Sequence, residues 1–88
     1  MILDVRLGSD YMSSDLKVKG AVREYGDIGT WVSNYPKDKT LVLYCASPHE
    51  GRSTPMVQNI LQKGFTKLYV HKGGWEEWLN ANYPREKK

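Results

Sequence analysis

Four apolar residues in a row, Leu41-Val42-Leu43-Tyr44, constrain the fold of this chain more than any other stretch. They do not alternate with polar residues, so a strand built from them has no face to give to water and must lie in a sheet covered on both sides. Sheets of that kind are mostly parallel and joined by helices. The remaining signals agree. Ile2-Leu3-Asp4-Val5 is a short β-type run almost at residue 1, Ala21-Val22 reads as a brief strand, and Leu68-Tyr69-Val70-His71 as a further one. The polar stretch Gly8 to Lys19 reads as loop, with a helical turn near Tyr11 and Met12.

Helical patterns fall between these strands. Ile28, Trp31, Val32 and Tyr35 follow i, i+3, i+4, i+7 spacing and mark one apolar helix face that Pro36 ends. The next helix has Ser53 or Thr54 as N-cap, Pro55 at the first helical position and Gly64 as the stop. Met56, Val57, Ile60 and Leu61 form its inward stripe, while Gln58, Asn59, Gln62 and Lys63 face water. Gly73-Gly74 is a tight turn, and Trp75 to Asn82 a last short helix that carries Trp78 and Leu79 inward. The order predicts an α/β fold with a parallel central sheet, right-handed crossovers and flanking helices.

With 88 residues and 40% apolar content the chain makes one small domain. Its one cysteine excludes an intramolecular disulfide framework and points to a reducing compartment or to a thiol kept free for chemistry, with cytoplasm the default. The longest apolar run, Leu41 to Ala46, is too short to span a bilayer, so no membrane association is expected. Met1-Ile2-Leu3-Asp4 has neither the basic start nor the apolar stretch of a secretory signal. The net charge of +3 is mostly local: Arg85, Lys87 and Lys88 against Glu86 make a charged tail after Pro84 that supplies +2 of it. No basic stripe with interleaved aromatics remains, which argues against nucleic acid as a partner. His49, His71 and Cys45 lack paired ligand spacing, so no metal is expected.

Cys45 sits where the buried strand gives way to the turn Ala46-Ser47-Pro48-His49-Glu50-Gly51-Arg52 and then to the Ser53 helix start. In parallel α/β sheets, ligands gather outside the carboxyl ends of strands, and the following helix points its positive end at the turn. A thiol held there is favoured as thiolate by backbone dipoles and a nearby arginine. Asp4 and Arg6 read as a structural pair at a strand end. His49 reads as solvent-facing, and Arg52 could instead pair with Glu50 on the surface for little energy.

The ordered set Leu3-Asp4-Val5-Arg6, Gly20-Ala21-Val22, Leu41 to Cys45, Lys63-Gly64-Phe65, Leu68-Tyr69-Val70 and Gly73-Gly74 with Trp78 resembles a rhodanese domain over nearly the whole chain. Cys45-Ala46-Ser47-Pro48-His49-Glu50 is similar to a rhodanese subgroup whose cysteine is followed by a Pro-x-Glu segment. The resemblance implies a rhodanese-like domain over residues 1–84, a tail over 85–88, and sulfur transfer without a cofactor. Cys45 as thiolate takes the outer sulfur of a donor such as thiosulfate, carries it as a persulfide and gives it to a thiophilic acceptor. The backbone and side chains of Ala46, Ser47, Pro48, His49, Glu50, Gly51, Arg52 and Ser53 would bind the substrate, with Arg52 offering a planar fork to sulfonate oxygens. The partners implied are a small sulfur donor or acceptor, or a protein persulfide.

Three departures stand beside that match. Lys17-Val18-Lys19-Gly20-Ala21 replaces the family's His-Ile-Pro-Gly-Ala. The first outer strand of the family is absent, which implies a minimal variant or a piece of a longer protein. The turn to Arg52 is longer than the common rhodanese loop, and Glu50 puts a negative charge near an anionic donor, so slow turnover of thiosulfate is expected. Two other readings compete. A non-catalytic rhodanese-like module would use the fold to bind a partner or sense oxidants. A cysteine phosphatase or arsenate reductase relative would need five residues between cysteine and arginine, whereas six separate Cys45 from Arg52.

Overall fold

The structure is a computed structural model that describes residues 1–46 and 53–88, the side chains of Ser53 and Thr54 excepted. Its main sheet has four parallel strands in the order β3-β1-β4-β5, formed by β1 (Ile2–Asp4), β3 (Val22–Arg23), β4 (Leu41–Tyr44) and β5 (Leu68–Val70). The non-alternating run is β4, and it lies between β1 and β5 as its composition requires. Leu41 and Leu43 are completely buried on one face and Tyr44 is buried on the other.

Two layers cover the sheet. Leu3, Val5, Leu41, Leu43 and Cys45 point into a cluster closed by Ile28, Trp31, Ile60 and Phe65. On the opposite face Tyr44 packs with Val18, Ala21 and Trp75, with Trp78 and Leu79 at the rim. Each fully buried aliphatic side chain contributes about 1.5–3 kcal/mol relative to an exposed one.

Helix α2 (Ser53–Gln62) crosses from β4 to β5, and α3 (Gly74–Asn80) follows β5. Ser53 and Thr54 lie inside α2 rather than before it, so Pro55 is its third residue. Proline is tolerated there because the first-turn N–H groups have no intrahelical acceptor. Gly64 ends the helix as expected, at φ +100, a conformation that suits glycine. The inward stripe is narrower than expected: Ile60 is fully buried, Met56 and Val57 are half-buried, and Leu61 is 47% exposed. Phe65, just past the stop, is buried in the core cluster and leaves Leu61 on the helix flank.

Three elements differ from the sequence pattern. The expected helix over residues 28–35 is two 3-10 turns, Ile28–Thr30 and Val32–Asn34, interrupted at Trp31 with φ −129. Gly29, Thr30, Val32, Ser33 and Asn34 are weak helix formers, and Asp27 caps the first turn by accepting from Gly29 N–H. Ile28, Trp31 and Val32 are nonetheless buried, because an i, i+3 pair shares a face in either helix type. The Gly8–Lys19 stretch contains the short helix α1 (Gly8–Met12) and a strand, β2 (Leu16–Val18).

Strand β2 pairs antiparallel with β6 (Arg85–Lys87), the stretch expected as a charged tail. Lys17 stands opposite Glu86, and the Glu86 carboxylate accepts from Gly20 N–H at 2.6 Å, so the stretch that reads as a solvated tail is tied into a strand pair.

Candidate active site

The four parallel strands end along one edge of the sheet. Arg23 and Glu24, Asp4 to Arg6, Tyr44 to Ala46, and Val70 with His71 lie there in that spatial order. Cys45 follows an inner strand, and α2 begins at this same edge because it must run back against the strands to connect parallel β4 and β5. Ser47, Pro48, His49, Glu50, Gly51 and Arg52 lie outside the described residues. Of the expected site, Cys45, Ala46 and the helical backbone at Ser53 are described.

The backbone around Cys45 is pinned from both sides. Val5 N–H donates to the Tyr44 carbonyl at 3.1 Å and His71 N–H to that of Leu43 at 2.9 Å, extending both ladders past β4. The first turn of α3 then donates Trp75 N–H to the Cys45 carbonyl at 2.8 Å and Glu76 N–H to the Ala46 carbonyl at 3.1 Å. Helix N-terminal donors lack intrahelical partners, so these bonds use groups that are otherwise unsatisfied. Gly74 opens the helix at φ +65, which brings those N–H groups onto the turn.

Strand alternation decides what the thiol meets. Cys45 is 2% exposed and shares the cluster of Leu3, Val5, Leu43 and Ile60 on the α2 side. Asp4 precedes Val5 and Arg6 follows it, so their side chains turn to the opposite face, where Tyr44 and Trp75 lie. There Arg6 grips the Asp4 carboxylate through Nε at 3.0 Å and Nη2 at 2.7 Å, and Nη2 also donates to the Leu16 carbonyl at 3.0 Å. The guanidinium carbon is 4.8 Å from the centre of the Trp75 ring, 5.3 Å from Tyr11 and 5.7 Å from Tyr44. Among the described residues Nη1 has no hydrogen-bond acceptor and is left with these ring faces, a favourable setting for a cation. The pair is structural, as its spacing suggested. Burial pushes the Tyr44 phenol well above its ordinary pKa, with Asp4 adding to the effect.

A cavity of about 260 Å³ opens at the ends of β1 and β3, walled by Val5, Leu7, Glu24, Tyr25 and Met56. Val5 belongs to the cluster that contains Cys45 and Met56 packs against it, so this cavity adjoins the thiol's side of the sheet. Sequence reasoning did not single out Glu24, which lines this cavity. Tyr35 donates its O–H to Glu24 Oε2 at 2.5 Å. Burial, then the hydrogen bond to Glu24 and its charge, push the Tyr35 phenol up to about 12. The available signal was position, since Glu24 directly follows a parallel strand at its carboxyl end.

A larger cavity of about 740 Å³ opens on the other face beside Ala46, with Leu16, Trp75 and Leu79 as its apolar wall and Asp15 and Glu76 at its margin. Among the described residues no group of three or more His, Cys, Asp or Glu side chains is placed to hold a metal ion. Nor is any described helix long and apolar enough to cross a membrane.

Comparison with known proteins agrees with this architecture. A thiosulfate sulfurtransferase of Glaesserella parasuis is 29% identical over 58 residues, 66% of this chain and 52% of the relative. The matched stretch thus spans about half of that enzyme's length. The rhodanese-like domain of a protein from Anabaena sp. is 26% identical with a TM-score of 0.80, covering 100% of this chain and 92% of that one. A protein from Lactobacillus plantarum is 25% identical with a TM-score of 0.85, covering 98% of this chain and 71% of that one. The family model for the rhodanese-like domain matches residues 1–81, which contain all four strands of the parallel sheet and Cys45, and the chain belongs to that family.

Proposed function

We propose that this chain is a sulfurtransferase that carries sulfane sulfur as a persulfide on Cys45. The observation that carries the reading is the placement of the single cysteine at the carboxyl end of an inner parallel strand, with its carbonyl held by α3, in a chain of the rhodanese-like family. The similarity to a thiosulfate sulfurtransferase supports thiosulfate as a donor.

In the transfer, the Cys45 thiolate attacks the outer sulfur of thiosulfate. A new S–S bond forms, the S–S bond within the donor breaks, and sulfite leaves with the electron pair. A nucleophilic acceptor such as cyanide or a thiolate then attacks the outer sulfur of the persulfide and returns Cys45 to thiolate. Ala46, Ser47, Pro48, His49, Glu50, Gly51, Arg52 and Ser53 make up the substrate turn in this reading, with Arg52 binding the oxyanion.

Intact mass after incubation with excess thiosulfate, on wild type and Cys45→Ser, tests it. A gain of one sulfur on wild type alone, reversed by cyanide, is expected. The same gain on Cys45→Ser would refute the mechanism. Burial of Cys45 favours a second reading, a rhodanese-like module that binds a partner without turnover. Absence of any adduct from thiosulfate or from an organic persulfide would select it.

A further inference from the structure

We propose that the amino edge of the parallel sheet is a docking surface for an acidic protein segment, which Lys37, Lys39, Lys63 and Lys67 hold at the end of the domain remote from Cys45. The surface does not depend on the reading of Cys45 as a sulfur carrier.

Parallel pairing brings these lysines together. Residues 36–40 lead into β4 and residues 63–67 lead into β5, and parallel neighbours begin at the same edge. Lys39 N–H donates to the Pro36 carbonyl at 3.0 Å, which turns the first segment, and Leu41 N–H donates to the Lys67 carbonyl at 2.9 Å, which ties it to the second. The Lys37 side chain lies against Gly64, where a Cβ would stand 3.1 Å from its Cδ and 3.4 Å from its Nζ. All four lysines are exposed. Residues 47–52 join Ala46 to α2 at the opposite edge, so the patch is bounded by described residues.

The charge here is concentrated. Four lysines against Asp38 leave +3, which equals the formal charge of the whole chain, so all other residues sum to zero. Several cations elsewhere have acceptors: Arg6 holds Asp4, Arg85 holds Asn82, and Lys17 and Lys88 donate to the carbonyls of Ala21 and Tyr11. Among the described residues no ion pair forms at Lys37, Lys39, Lys63 or Lys67. Like charges on adjoining turns repel across a Debye length of about 8 Å at physiological salt, and a carboxylate-rich partner relieves that repulsion.

The same two segments are poorly suited to nucleic acid or a bilayer. Phe65, their one aromatic residue, is buried in the core and offers no base a stacking face. No large apolar side chain of residues 36–40 or 63–67 is exposed for insertion into lipid. Lysine ammonium groups on flexible stems suit the scattered carboxylates of a protein segment. Helix α2 spans ten residues, about 15 Å, from the Cys45 edge to this one, so a segment docked here leaves the thiol edge open.

Fluorescence anisotropy of a labelled oligoglutamate peptide at low salt tests the surface, with two double variants of equal net charge to separate place from total charge. Lys37→Gln/Lys63→Gln should weaken binding about three- to ten-fold, while Lys72→Gln/Lys87→Gln should change it less than about two-fold. Lys72 follows the carboxyl end of β5 and Lys87 lines the cavity beside Ala46, so both lie away from the amino edge. Salt raised from about 20 to about 200 mM should erase most of the difference. Equal losses in the two variants would overturn the proposal. So would tighter binding, through Lys37 and Lys63, of oligo-dT of equal charge or of phosphatidylserine vesicles. Alkylation of Cys45 by iodoacetamide, followed by intact mass, should run at the same rate with the peptide bound; protection of the thiol would place the peptide at the carboxyl edge and refute the assignment.

Discussion

Asp4→Asn is the substitution whose effect the structure specifies most closely. The Asp4 carboxylate accepts from Arg6 N–H at 3.1 Å, Nε at 3.0 Å and Nη2 at 2.7 Å, and the Arg23 guanidinium approaches it at 3.8 Å. Asparagine removes the charge and turns an amide NH2 toward guanidinium donors. Arg6, only 1% exposed, then stays buried without its counter-charge. Breaking a buried pair from one side costs about 3–5 kcal/mol. At roughly 0.05–0.15 kcal/mol per residue, a domain of this size has about 4–13 kcal/mol to lose, so the variant should be marginal. Urea unfolding followed by tryptophan fluorescence measures this directly, because Trp75 stacks on Arg6. With a slope near ~1.5 kcal/mol/M the midpoint should fall by roughly 2–3 M. The double variant Asp4→Leu/Arg6→Met removes both charges and should recover most of that loss, since apolar replacements of a buried pair are often neutral or better. A midpoint shift below about 0.3 M in Asp4→Asn, or a double variant as unstable as the single, would refute the account.

Ile60→Ala should lose about 2–5 kcal/mol in the same assay, because Ile60 is fully buried, whereas Leu61→Ser should stay within about 0.5 kcal/mol. Tyr35 is raised from 10.0 to about 12 in the folded chain, so the native state holds its proton more tightly; the resulting stability is complete below pH 10 and is lost as pH rises through about 12. Denaturation at pH 9 and pH 11 should therefore show a smaller alkaline loss in Tyr35→Phe than in wild type, and equal losses would contradict the assignment. Deleting residues 85–88 removes β6 and should lower stability by about 2 kcal/mol or more, at roughly 1 kcal/mol for each ladder hydrogen bond; an unchanged midpoint would mean that the stretch is solvated.

The sequence revealed the elements whose information is local. The run Leu41 to Tyr44 has no polar face, and Pro55 and Gly64 bracket α2 by their own backbone constraints, so β4, α2 and the position of Cys45 between them could be read without a partner in view. Asp4 and Arg6 were legible as a pair because residues two apart on a strand share a face. The Ile28–Tyr35 segment was read correctly for burial and wrongly for helix type, since Ile28 and Trp31 share a face at either pitch while Gly29 and the weak helix formers after it set the hydrogen bonding. β2 and β6 were missed because neither strand is apolar on its outer face and the partners lie at opposite ends of the chain. Glu24 was missed for a similar reason. Its place directly after a short strand was the only local signal, and its hydrogen bond to Tyr35 eleven residues on and its place in a cavity exist only once β1, β3 and α2 are assembled.

Alternation along β1 and β4 separates the chemistry of this domain from its strongest electrostatics. Leu3, Val5, Leu43 and Cys45 take one face, while Asp4, Arg6 and Tyr44 take the other. A charge removed from the polar face therefore lies across the sheet from the thiol, although the two are on adjacent strands. The structure does show one link between them. Trp75 stacks its ring near Arg6 and donates its backbone N–H to the Cys45 carbonyl, so α3 touches the ion pair with a side chain and the nucleophile with its main chain. Ring packing tolerates small shifts, whereas a 2.8 Å hydrogen bond does not. Changes in the polar cluster should consequently reach Cys45 only when they are large enough to move the first turn of α3, and the stability of the domain and the reactivity of its thiol can vary independently below that threshold.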